Sequence, residues 1–96
     1  NLITACDTFI YFGDLRQVIV PAAQRLRTGG WLGFTVERSD SAPFHLNDNG
    51  RFAHSSSHIA EVANDAGLSV AKITESVLRY EYGAPVTALV VVLRRP

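Results

Sequence analysis

Methionine is absent from this chain, and cysteine occurs once, at Cys6. A lone cysteine excludes an internal disulfide framework and fits a reducing compartment, so the expected location is cytoplasmic. Charge is sparse and balanced: nine basic and nine acidic side chains cancel, and charged residues are 19% of the whole. That balance supplies no footprint for nucleic acid or an anionic membrane, either of which normally shows as a basic patch. Arg94-Arg95 is the nearest thing to a basic cluster, and two charges there read as solvated. The longest apolar run, residues 88–93, is far short of the roughly 20 residues that span a bilayer. No signal peptide opens the chain and no Asn-x-Ser/Thr sequon occurs. With Asn1 as its first residue and no methionine, the chain is expected to be a piece of a longer polypeptide.

What is present is a globular composition: 96 residues, 47% of them hydrophobic, enough for one small domain. Residues 2–12 are rich in β-branched and aromatic types and read as a strand buried on both faces. Asp14 is a candidate helix N-cap, with Gln17 in capping-box spacing. Leu15, Val18, Ile19, Ala22, Ala23 and Leu26 then recur at helical spacing. Pro21 falls inside that pattern, which predicts a kink there or a helix that starts near it. Gly29 suits the left-handed position past the helix end. Residues 31–37 form a second strand. Residues 38–55, rich in Ser, Asp, Asn, Pro and Gly, read as a long connection, a length uncommon without function or disorder. A second helix is expected over about 57–66, with Ile59, Val62, Ala63 and Ala66 buried and Gly67 as its stop. Residues 68–80 and 86–93 are extended and joined by a turn at 82–85.

The first three strands are linked by helices and so are expected to run parallel through right-handed crossovers. The last is reached by a short turn and must run antiparallel. The expected fold class is α/β, with three parallel strands, one final antiparallel strand and helices packed on the sheet.

Leu26-Arg27-Thr28-Gly29-Gly30-Trp31-Leu32 resembles the helix-to-fifth-strand corner of class I S-adenosylmethionine-dependent methyltransferases, with Thr28 where a proline is usual. The segment from Leu2 through Leu15, and Gly50-Arg51-Phe52-Ala53-His54-Ser55, resemble the members of that family found attached to tetratricopeptide repeats. The likeness covers essentially all 96 residues. It implies a Rossmann-like sheet in which residues 2–12, 31–37, 68–80 and 86–93 are the fourth to seventh strands, the seventh inserted between the fifth and sixth. It further implies that residues 1–96 are the second half of a methyltransferase domain. The family's glycine-rich loop and the acidic residue of its second strand would both precede Asn1. Gly29-Gly30-x-x-Gly33 does not replace that loop, because it follows a helix and enters a strand.

The resemblance implies S-adenosylmethionine as cofactor, held by Ala5, Cys6, Asp7 and Thr8 at a strand's carboxyl end. Asp7 has a second reading as a strand-end cap, and Cys6 as a small buried filler. Tyr11, Arg51 and Phe52 would line the acceptor site, whereas Phe12 reads as core. Phe44 and His45 lie in the same connection. His54 is the candidate general base, because imidazole titrates near neutrality. His54 and His58 stand four apart, but no third metal ligand is evident. Tyr80 and Tyr82 read as covering a sheet face. The exposed fourth strand offers an edge for self-association. Two other readings compete: a non-enzymatic α/β binding module, and an α+β regulatory domain with mainly antiparallel strands.

Overall fold

The stretches marked as strands pair into one mixed sheet in the computed structural model, which describes residues 2–5, 12–39, 43–46 and 52–96. The elements are β1 (Leu2–Ala5), α1 (Arg16–Arg25), β2 (Trp31–Arg38), β3 (Phe44–Leu46), β4 (Phe52–His54), α2 (Ser56–Asp65), β5 (Ser69–Glu81) and β6 (Ala84–Arg94). β1 runs parallel to β2, with Leu2 opposite Trp31 and Ala5 opposite Phe34. On the other edge of β2 lies β6, antiparallel, and beyond it β5, antiparallel to β6. β5 therefore runs in the same direction as β1 and β2. The α/β class and the parallel course of β1, β2 and β5 with β6 reversed are as the sequence led us to expect, whereas the sheet has two strands more than expected, β3 and β4. The reversed strand also sits where the resemblance puts it, between the second and third of the others.

Three expectations need correcting. Of the strand expected over residues 2–12, the described part is Leu2–Ala5; residues 6–11 lie outside the described residues, and Phe12 is not in a strand. Residues 38–55 are not all connection: β3 and β4 pair antiparallel, and β4 joins the sheet parallel to the end of β2. The apolar residues Phe44, Leu46, Phe52 and Ala53 make this short hairpin, and a reading by turn residues alone passes over it. Of the two expectations for the first helix, a start near Pro21 is overturned, because the helix runs from Arg16 to Arg25 with Pro21 inside it. The Asp14 carboxylate accepts the Arg16 amide at 3.0 Å, so it caps the first turn although Leu15 occupies the N-cap position.

Both helices pack on the same face. Travel from β1 to β2 and from β2 toward β5 has one direction, and right-handed crossovers in one direction must lie on one side. Ile19, Ala23 and Leu26 of the first helical segment and Ile59, Val62 and Ala63 of α2 form one buried cluster with Leu32, Phe34, Val36, Leu89, Val91 and Leu93. On the opposite face, among the described residues, Leu2 is 66% exposed, Trp31 39% and Val90 40%. Ser55 caps α2, its hydroxyl accepting the His58 amide at 3.1 Å. Gly67 takes φ 75° just past the helix end.

The two terminal arginines are not merely solvated. The Arg95 guanidinium donates to the carbonyl oxygens of Ala23 and Leu26 at the end of α1, the first of which also accepts the Leu26 amide. The backbone of Arg95 also exchanges hydrogen bonds with Gly29 and Gly30. Arg94 lies 5.2 Å over the Trp31 ring. Arg95→Ala is expected to destabilise the fold by about 1–2 kcal/mol, the scale of a lost charged hydrogen bond and cap. Urea unfolding of the variant checks this; an unchanged midpoint would mean the guanidinium contacts contribute nothing.

The tyrosines of the last turn also depart from expectation. Tyr82-Gly83 is a two-residue turn with φ positive at both positions, the twist that suits a tight hairpin. Tyr80 and Tyr82 are exposed and cover no sheet face. β6 pairs with β2 only as far as Ala88 opposite Glu37. Residues 84–87 and their β5 partners thus form an arm beyond the carboxyl end of β2.

Candidate functional site

In open α/β sheets ligands bind beyond the carboxyl ends of the parallel strands, where loops rather than side-chain layers meet solvent. Here β1 ends at Ala5 and its neighbour β2 ends at Arg38. The turn Phe12-Gly13-Asp14-Leu15 is seated on β3, β4 and α2. Gly13 makes the seat possible. A β-carbon there would lie 3.0 Å from Phe52 Cε1 and 3.3 Å from Phe44 Cδ2. Those two rings meet edge-on, their centroids 6.2 Å apart.

Two histidines hold the turn from below. His54 ends β4 and is fully buried. Its Nε2 lies 2.7 Å from the Phe12 carbonyl oxygen and 3.1 Å from that of Gly13. Carbonyl oxygens only accept, so Nε2 carries the proton and Nδ1 is the bare nitrogen. Nδ1 is buried without a hydrogen-bond partner among the described residues. His58, one turn into α2, has the other tautomer: its Nε2 accepts the Leu15 amide at 3.2 Å. The two imidazoles stack at 6.2 Å with 17° between their planes, and Phe44 meets His58 edge-on at 5.3 Å.

Burial dominates the electrostatics of this pair. Loss of solvation pushes the His54 pKa below the usual histidine value, opposed by the two carbonyls that accept from its ring. His58 is pushed the same way by burial, opposed chiefly by Asp14, whose Oδ1 lies 3.9 Å from its Nε2. Both rings are neutral near pH 7. Asp14 is held below the normal carboxylate range, first by the Arg16 amide it accepts and then by the Arg16 charge. Arg16 also pairs with Asp65 at 2.7 Å and Glu61 at 3.0 Å, tying the start of α1 to α2.

The structure thus brings together His54, Phe52 and the turn after β1. Ala5 stands at the end of β1. Cys6, Asp7, Thr8, Tyr11 and Arg51 lie outside the described residues. Phe52 is half-buried, and so is Phe12, which reads as core from sequence. Sequence reasoning gave no role to His58 beyond the metal spacing, nor to Gly13 beyond ending a strand. It also passed over Glu37 and Ser39, both buried at the carboxyl end of β2. A carboxylate closing an apolar strand is the signal that could have marked Glu37. Among the described residues no three His, Cys, Asp or Glu side chains gather as a metal site, and no helix is long and apolar enough to cross a membrane.

No protein-family model matches the chain, and no curated protein matches it. Solved structures do. Magnesium protoporphyrin IX methyltransferase from Synechocystis, with bound S-adenosylhomocysteine, superposes with a TM-score of 0.72 at 13% identity, over 99% of this chain and 44% of that one. A Burkholderia thailandensis 1,6-didemethyltoxoflavin-N1-methyltransferase gives 0.69 at 18%, over 96% and 43%. A SAM-dependent methyltransferase from Leishmania major gives 0.68 at 20%, over 95% and 37%. The chain has the α/β fold of the class I S-adenosylmethionine-dependent methyltransferases. It spans less than half the length of each of these three proteins.

Proposed function

We infer that this chain is the fourth-to-seventh-strand half of a cytoplasmic S-adenosylmethionine-dependent methyltransferase domain of the tetratricopeptide-repeat-associated kind. The observation that carries the reading is the reversed β6 lying between β2 and β5. Two further features support it. β1 pairs on one side only among the described strands, and on the sheet face away from the helices Leu2, Trp31 and Val90 are exposed among the described residues. A preceding half-domain would pair with that edge and cover that face. Without it, the edge offers a route to self-association.

The residue types at the end of β1 fit the cofactor. Ala5 and Cys6 are small enough for close backbone approach, and Asp7 and Thr8 bring polar atoms. His54, with one buried nitrogen lacking a partner, fits a site that receives a donor group. When bound, the cofactor supplies a methyl group activated by its sulfonium. Ala5 to Thr8 would orient it, and Tyr11, Arg51 and Phe52 would set the acceptor in line with the methyl carbon and exclude water. The acceptor's lone pair would receive that methyl group, with S-adenosylhomocysteine as the product that leaves. The proton lost by the acceptor would pass to His54 Nδ1, the ring nitrogen free to take it.

Calorimetric titration of S-adenosylmethionine and S-adenosylhomocysteine into this chain and into the full-length polypeptide tests the reading. Binding is expected for the longer protein only, with the shorter one self-associated by light scattering. Absence of binding by both would overturn the enzyme and leave the fold in a binding role.

A further inference from the structure

The histidine that methyl transfer does not use has the more informative position. Leu15 is the N-cap of α1, so its amide has no partner within the helix. His58 Nε2 is that partner. His58 itself lies in the first turn of α2, and the ring thus sits where two helix N-termini converge. Both termini present partial positive charge and disfavour a cation between them. A proton on Nε2 would also set one N–H against another inside a buried contact.

We propose that His58 is a positioning residue: in its neutral form it latches the turn between β1 and α1 onto α2, and its protonation releases that turn. The charged neighbours divide. Asp14 and Glu61 favour the cation, Arg16 and a protonated His54 oppose it, and desolvation outweighs them in favour of the neutral ring. Stability from the pair is complete above the unfolded histidine value of about 6.5 and is lost as pH falls below it toward the depressed folded values. Resting on the methyltransferase reading, the latch has a functional consequence. Phe12 to Leu15 lie on the same connection as Ala5, the end of β1, so release would weaken the proposed cofactor site.

Hydrogen exchange at the Leu15 amide of the full-length protein reads the latch directly. Its protection factor is expected to fall about tenfold or more between pH about 7.5 and about 5, while that of Val91 in the sheet interior holds. His58→Gln keeps an acceptor at the Nε2 position but cannot be protonated, and should hold the protection flat. His58→Leu should lose it at both pH values. A flat wild-type profile, or a glutamine variant that falls with the wild type, overturns the latch. Affinity for S-adenosylhomocysteine over the same range should weaken in the wild type and stay constant in His58→Gln; equal pH dependence in both overturns the positioning role. Failure of the wild type to bind that ligand at any pH, with the exchange result as expected, removes the methyltransferase reading and leaves the latch standing.

Discussion

Leu15→Ala is expected to destabilise the fold by about 3 kcal/mol, in the middle of the range for emptying a buried leucine site. Leu15 is fully buried and belongs to the cluster that joins both helices to β2 and β6. Its side chain follows directly on the turn held by His54 and His58, and Gly13 in that turn already lies close against Phe52 and Phe44, which limits how far the site can collapse. A total stability of about 5–15 kcal/mol makes this a large fraction for a small domain. Urea unfolding should show the midpoint falling at constant slope. Leu15→Met, which conserves volume, should cost less than about 1.5 kcal/mol. A loss below about 1 kcal/mol for the alanine variant would mean that the site collapses freely and the turn is not wedged.

The second large effect concerns His54, and glutamine separates its two roles. The Gln side-chain amide can donate to the Phe12 and Gly13 carbonyls as Nε2 does, but it has no nitrogen that takes a proton. On the proposed methyltransferase reading, His54→Gln in the full-length protein is therefore expected to fold, to bind S-adenosylhomocysteine, and to lower turnover by about 10²-fold or more. His54→Ala should lose stability as well, because it removes both the buried ring and the hydrogen bonds to the turn. Unchanged turnover in His54→Gln would take the base role away and leave His54 as a support for the turn.

The topology was open to reading from sequence because each crossover length and turn constrains strand direction. Two helix-bearing connections demand strands that run the same way, and Tyr82-Gly83 leaves room only for reversal. The hairpin formed by β3 and β4 was not, because Phe44–Leu46 and Phe52–His54 are three residues each, too short for alternation to stand out. Arg95 was misread for a different reason. Its partners, Ala23 and Leu26, lie about seventy positions away, and nothing local distinguishes a capping arginine from a solvated one. His54 was marked by its residue type and place in the connection, yet its burial and its tautomer depend on Phe12 and Gly13, more than forty residues earlier. His58 shows the same limit. Its spacing from His54 suggested a shared ligand, whereas one ring donates to a carbonyl and the other accepts from an amide.

Trp31 is the only tryptophan in the chain. It opens β2, stands opposite Leu2 of β1 and Arg94 of β6, and has the Arg94 guanidinium over its ring. Its fluorescence therefore carries no background from another indole and senses both neighbouring strands at once. Its partial exposure on that face makes the emission an optical gauge of whatever comes to rest against the sheet: a covered ring should shift to the blue, and a frayed β1 or β6 should shift it to the red.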